Sequence, residues 1–128
     1  MDHAFILHQR NYKETSLLIE AFTREHGRIS LVANGAKRIR SKWRGILMPF
    51  IPLSINWGGK TDKLLTLIEA EVHGKLINLY GFKLISGFYI NELILKLLAP
   101  FDPHADLYDY YNNTMIDLAT AEHTIEPI

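Results

Sequence analysis

The densest chemistry in the chain lies in Gly35-Ala36-Lys37-Arg38-Ile39-Arg40-Ser41-Lys42-Trp43-Arg44-Gly45. Five cations fall within eight residues, with no acid among them and one tryptophan inside the run. Clustered Lys and Arg neutralise phosphates and release counterions, and an aromatic ring among them can stack on a base. A charge run is also the ordinary composition of a solvated connection, so the stretch by itself leaves both readings open. Two further basic segments, Arg10 with Lys13 and Lys60 with Lys63, strengthen the phosphate reading.

Other chemistries find less support. The six histidines are scattered and form no H-E-x-x-H spacing. There is no cysteine, which excludes a disulfide framework, a thiolate metal site and a cysteine nucleophile within these residues. A magnesium-dependent nuclease needs carboxylates that converge. Of the acids in the basic half only Glu69 and Glu71 share a strand face, as solvent-facing acids do. Gly58-Gly59-Lys60-Thr61 resembles the end of a phosphate loop but lacks the G-x-x-x-x-G-K-[ST] pattern. A binding protein without catalytic residues, metal or cofactor is therefore expected.

The net charge of zero conceals a division. Residues 1–75 hold 12 Lys/Arg and 7 Asp/Glu, a balance of +5, whereas residues 76–128 hold 2 and 7, a balance of −5. The 128 residues, 48% hydrophobic and 22% charged, have globular composition. With no signal peptide in residues 1–25 and no apolar run of about 18 residues, a cytoplasmic protein is expected, with no membrane contact.

The elements that must position the cations change period along the chain. Ala4–His8, Thr15–Thr23, Arg28–Ala33, Leu47–Trp57 and Leu64–Val72 read as strands, separated by turn signals such as Glu25-His26-Gly27. Pro49 and Pro52 confine the start of the fourth to an edge or a bulge. Four connections are short, but residues 35–46 separate the third strand from the fourth, where a five-stranded OB barrel carries its longest, often helical, connection. On that reading residues 1–78 form an OB-fold nucleic-acid-binding domain. Three basic loops then surround the barrel, and its 1–2 and 4–5 loops are those with which OB folds grip oligonucleotides. Trp43 reads either as a stacking platform or as a lid on the barrel core. Tyr12 is the other candidate stacker, and Phe50 and Trp57 read as core.

Residues 79–128 begin an α-helical domain. The span Phe82–Leu98 is apolar on nearly every face, the pattern of a buried helix. A second helix opens at Asp102 or Pro103, with Leu107, Tyr111, Met115 and Leu118 at helical spacing. Tyr108, Tyr110 and Tyr111 read as packing and surface. A helix apolar all round needs neighbours on all sides, so this domain is expected to be incomplete and the 128-residue form to self-associate.

Several blocks resemble the bacterial RecO family. Ala4-Phe5-Ile6-Leu7, Tyr12-Lys13-Glu14-Thr15-Ser16-Leu17-Leu18, Phe22-Thr23, Gly27-Arg28 and Leu31-Val32-Ala33-Asn34-Gly35-Ala36-Lys37 carry the likeness, followed by Arg44-Gly45, Pro49-Phe50 and Leu53. Gly87-Phe88-Tyr89-Ile90-Asn91-Glu92-Leu93 and the Asp102, His104, Leu107, Tyr111 spacing continue it. The resemblance implies an OB fold followed by helices, and a recombination mediator without turnover. It further implies binding to single- and double-stranded DNA, strand annealing, assistance to RecA loading, and partnership with RecR and single-stranded DNA-binding protein. The family's basic OB surface matches Arg28, Lys37, Arg38, Arg40, Lys42 and Arg44. Asn34 stands where a cation is expected, and Met48 where glutamine is usual. Two rival classes are an RNA-binding OB protein and an OB module that binds an acidic peptide.

Overall fold

The computed structural model describes residues 1–60 and 64–121. Five strands come first: β1 (Asp2–Tyr12), β2 (Ser16–Thr23), β3 (Gly27–Ala33), β4 (Leu53–Gly58) and β5 (Leu65–Val72). They close into a barrel in the order β1-β2-β3-β5-β4. β3 and β5 run parallel, and the other neighbouring pairs are antiparallel. This is the OB fold that the strand spacing predicts.

Two strands depart from their expected bounds. β1 runs on to Tyr12, which pairs with Ser16, so Arg10 stands on a strand and not in the first connection. β4 begins at Leu53 rather than Leu47, because Pro49 and Pro52 bring no N–H to a ladder. Only an isolated bridge between Ile6 and Pro49 remains there. The connection from β3 to β4 therefore spans residues 34–52, and it is built of turns without an α-helix. Its Ala36, Trp43 and Leu47 are buried in one cluster with Ile19, Leu31 and Leu53 of the strands. The connection thus folds back and plugs the barrel.

A bulge divides β1 into two working halves. The β1–β2 register slips between Ile6 and His8, so Leu7 and His8 together oppose Glu20. Before the slip, Ala4 and Ile6 enter the barrel core while Phe5 and Leu7 face outward into a second core. After it, Gln9 pairs with the core residue Ile19, and Arg10 pairs with Leu18 on the outer side. Paired residues share a face and neighbours alternate, so His8, Arg10 and Tyr12 point outward.

Two helices, α1 (Phe82–Leu97) and α2 (Ala105–Thr120), cover the outward half of β1 and β2. Phe5, Leu7 and Phe22 of the barrel pack there with Ile94, Tyr111 and Met115 of the helices. Tyr108 is also buried, and Tyr110 is exposed. Asn91, buried in α1, joins the three parts: its Nδ2 donates to the bulged Leu7 carbonyl at 3.3 Å, and its Oδ1 accepts the Tyr111 hydroxyl. Gly87 permits the close approach, since a Cβ there would lie 2.8 Å from both Phe50 and Leu79.

At the far end, Arg24 donates through Nε and Nη2 to both carboxylate oxygens of Asp109, each at 2.9 Å. Gly27, at φ 77°, leaves room for the segment after α1, because a Cβ would sit 2.5 Å from the Asp102 carbonyl oxygen. α1 departs from its expected burial. Gly87, Asn91 and Ile94 are buried, whereas Phe82, Ile85, Tyr89 and Leu97 are exposed. The two-helix layer covers one line of α1, not its circumference. No helix of the described residues is long and apolar enough to cross a membrane.

Three outcomes are expected from this packing. Asn91→Ala leaves the Leu7 carbonyl and the Tyr111 hydroxyl buried without partners and should cost at least about 2 kcal/mol. Urea unfolding measures it, and a loss below about 0.5 kcal/mol would contradict the linkage. Trp43→Ala should cost about 3–5 kcal/mol by opening a cavity in the barrel plug. A melting temperature equal to wild type would refute that role. The hydrogen bonds from Arg24 hold the Asp109 carboxyl below its ordinary range. The pair therefore stabilises the fold above about pH 4 and loses that contribution as the pH falls further. Asp109→Asn should flatten the acid limb of the stability curve, and high salt should shrink the difference because both partners are solvent-accessible.

Candidate nucleic-acid interface

The cations come together because two backbone donors fasten one loop to another. The Lys37 N–H donates to the Thr15 carbonyl at 2.9 Å, and the Gly35 N–H donates to Ser16 Oγ at 3.3 Å. The start of the 34–52 connection is thereby tied to the β1–β2 turn. Gly35 leaves β3 at φ 70°, a conformation that glycine takes without steric cost. Lys13 holds φ 57° in the turn, where a long side chain is uncommon.

Beyond Gly35 the chain advances as consecutive turns. The amides of Arg38, Ser41 and Arg44 donate to the carbonyls of Gly35, Arg38 and Ser41 at 3.0, 3.0 and 3.2 Å. These turns hold the apolar ring inward and the charged stems outward. Lys37, Arg38, Arg40, Lys42 and Arg44 are all exposed, as are Arg10 and Lys13. Among the described residues none of these seven forms a salt bridge. The result is a cationic surface, assembled from the outer end of β1, the β1–β2 turn and residues 37–44, with Glu14 the one acid inside these segments. Glu69 and Glu71 border it on β5, beside Lys42.

Three residues singled out in the sequence do not join this surface in the expected way. Trp43 is 7% exposed and belongs to the barrel core, so the lid reading holds and its ring is closed to a base. The Lys42 ammonium lies 5.0 Å from that ring's centroid. Arg28 is committed elsewhere: its Nη1 donates to Glu20 Oε1 and its Nε to the Leu98 carbonyl, both at 3.0 Å. Ser30 Oγ donates to the same carboxylate, so the middle of the β2–β3 face is a closed polar network.

Lys60 is exposed but lies at the other end of the strands. β5 starts at Leu65 beside Leu31 and runs parallel to β3, and Gly58 at the end of β4 pairs with Thr66, which places Lys60 towards the β2–β3 turn. The Trp57 ring, 5.0 Å from His26 of that turn, marks the same end. Lys63 falls outside the described residues. The basic segments therefore divide: the β1–β2 turn and residues 35–46 meet at one end, and Lys60 stands apart. The anchoring role of Thr15 and Ser16 has one faint signal in the sequence, a polar pair ahead of an apolar strand. Among the described residues no three His, Cys, Asp or Glu side chains gather into a metal site.

The family model described as the N terminal domain of recombination protein O (RecO) matches residues 1–75. The chain is 50% identical over 125 residues to the DNA repair protein RecO of Laribacter hongkongensis, covering 98% of this chain and 51% of that protein. It is 49% identical over 123 residues to the DNA repair protein RecO of Burkholderia pseudomallei, covering 96% of this chain and 44% of that protein. With the DNA repair protein RecO of Methylococcus capsulatus the identity is 44% over 122 residues, 95% of this chain and 50% of that protein. The chain thus spans about half the length of the curated relatives it matches. With a closed OB barrel, the helices behind it and a matching domain over residues 1–75, the chain belongs to the RecO family.

Proposed function

We propose that this chain is a DNA-contacting part of a recombinational repair protein, holding the phosphate backbone of single-stranded DNA on its cationic surface. The observation that carries the reading is the surface itself: seven exposed cations without salt-bridge partners among the described residues, on two segments tied by the Lys37–Thr15 and Gly35–Ser16 bonds. A cluster with so large an excess of cations destabilises the barrel through self-repulsion, and phosphates relieve it. The left-handed Lys13 fits the same purpose, because a cation is kept where glycine costs less.

No reacting group is required. Cationic turns hold one backbone while a second strand approaches, and base pairing supplies specificity and driving force for annealing. In the whole protein this surface serves strand annealing and RecA loading, with RecR and single-stranded DNA-binding protein as partners. Duplex DNA offers the same phosphates and binds the same surface. The placement is cytoplasmic, at the nucleoid. Lys60, at the β2–β3 turn end, offers a further phosphate contact away from this surface.

If about five cations engage one strand, the slope of log K against log salt should be about −3.5, at about −0.7 per neutralised phosphate. Replacing Lys37, Arg38 and Arg40 together by Glu should weaken binding at every sequence tested and flatten that slope. Fluorescence-anisotropy titration at several salt concentrations reads both. Unchanged affinity and slope in a folded triple variant would overturn the proposal. Matched DNA and RNA strands separate the RNA-binding rival, which would favour the 2′-hydroxyl. Binding to an acidic peptide but to no bare oligonucleotide would favour the protein-interaction rival.

A further inference from the structure

The cationic surface contains one aromatic ring that the cores do not use. Trp43 is buried in the barrel plug, and Trp57 packs against the barrel core near His26 at the other end. Tyr12 packs into neither hydrophobic cluster. It is half-buried at the last position of β1, on the outer face that it shares with Arg10. The Lys13 ammonium lies 5.4 Å from its ring centroid. Its strand partner is Ser16, whose Oγ accepts the Gly35 N–H at the root of the basic loop. The ring is therefore held on a paired strand, next to the tie that assembles the surface, with a cation on either side of it in sequence.

We infer that Tyr12 is a base-stacking platform, so that this surface selects strands with unpaired bases over continuous duplex. The inference rests on the phosphate-binding reading and adds to it a contact with the base. A flat ring accepts any base, because every base offers a π-face, and it does not read sequence. A duplex keeps its bases stacked on each other and presents only its backbone to such a ring. Arg10 and Lys13, flanking the ring, take the phosphates next to the stacked nucleotide. The preference for single strands then comes from one residue, while the salt dependence comes from its neighbours.

The test compares an oligothymidylate with an abasic strand of equal length and phosphate number, by anisotropy at two salt concentrations. Wild type should bind the oligothymidylate more tightly than the abasic strand. Tyr12→Ala should lose about 5- to 150-fold on the oligothymidylate, little on the abasic strand, and none of the salt slope. Tyr12→Phe and Tyr12→Trp should retain wild-type affinity, and the introduced tryptophan should be quenched on binding. Lys13→Ala should reduce the slope by about 0.7 on both strands.

Equal wild-type affinity for the two strands would overturn the stacking role and leave the phosphate reading standing. Wild type binding neither strand would overturn the phosphate reading itself. A Tyr12→Ala variant that fails to fold leaves the decision to the wild-type comparison and the Tyr12→Trp quenching. An unquenched tryptophan on a bound strand would count against the platform.

Discussion

The bulge at Leu7 governs both halves of the molecule. A strand alternates with period two, so one extra residue reverses the facing of everything beyond it. Without the slip between Ile6 and His8, Arg10 and Tyr12 would point into the barrel and the end of β1 would bring no charge to the surface. With it, Phe5 and Leu7 serve the helices and Arg10 and Tyr12 serve the solvent. A bulged residue leaves its ladder bonding incomplete, and here Asn91 answers by donating to the Leu7 carbonyl. Tyr111 completes the relay from α2. A polar contact inside the helical layer thus holds the strand phase on which the cationic surface depends.

The connection from β3 to β4 does two jobs with alternate residues. Its apolar members Ala36, Trp43 and Leu47 plug the barrel, and its charged members line the outside. The consecutive turns of residues 35–46 make this possible by reversing the chain every three residues. Stability and charge display are consequently coupled through the backbone, although different side chains carry them. A change at Trp43 acts on the barrel core, whereas a change at Arg40 acts on the electrostatic field. The usual OB route across β2–β3 is partly closed, since Arg28 and Ser30 hold Glu20 and the segment after α1 crosses at Gly27.

Much of this was legible in the residues. The strand spacing, the long third connection and the change of period after Gly81 specify an OB barrel followed by helices, because each is a local pattern of burial. The apolar run Leu47–Ile51 looks like the start of the fourth strand, but Leu47 and Ile51 pack on the barrel core and Phe50 on the helices instead of forming a ladder. The bulge left no trace: Ala4-Phe5-Ile6-Leu7 is apolar on both faces, so no polar residue reports the phase. The meeting of the β1–β2 turn with the basic loop was also hidden, since it rests on backbone donors and one serine hydroxyl. Burial of Trp43 and engagement of Arg28 follow from tertiary contacts that spacing does not encode. Lys60 was grouped with the other cations because topology, and not sequence distance, separates the ends of a barrel.

In the proposed complex, single-stranded DNA lies on the end of the barrel where the β1–β2 turn meets residues 35–46. Amide chemical-shift mapping with a short single-stranded oligonucleotide tests it directly. Perturbations should cluster at residues 10–16 and 35–46 and fade as salt is raised. Perturbations confined to the β2–β3 turn, to the region of Lys60 or to the exposed side of α1 would contradict it.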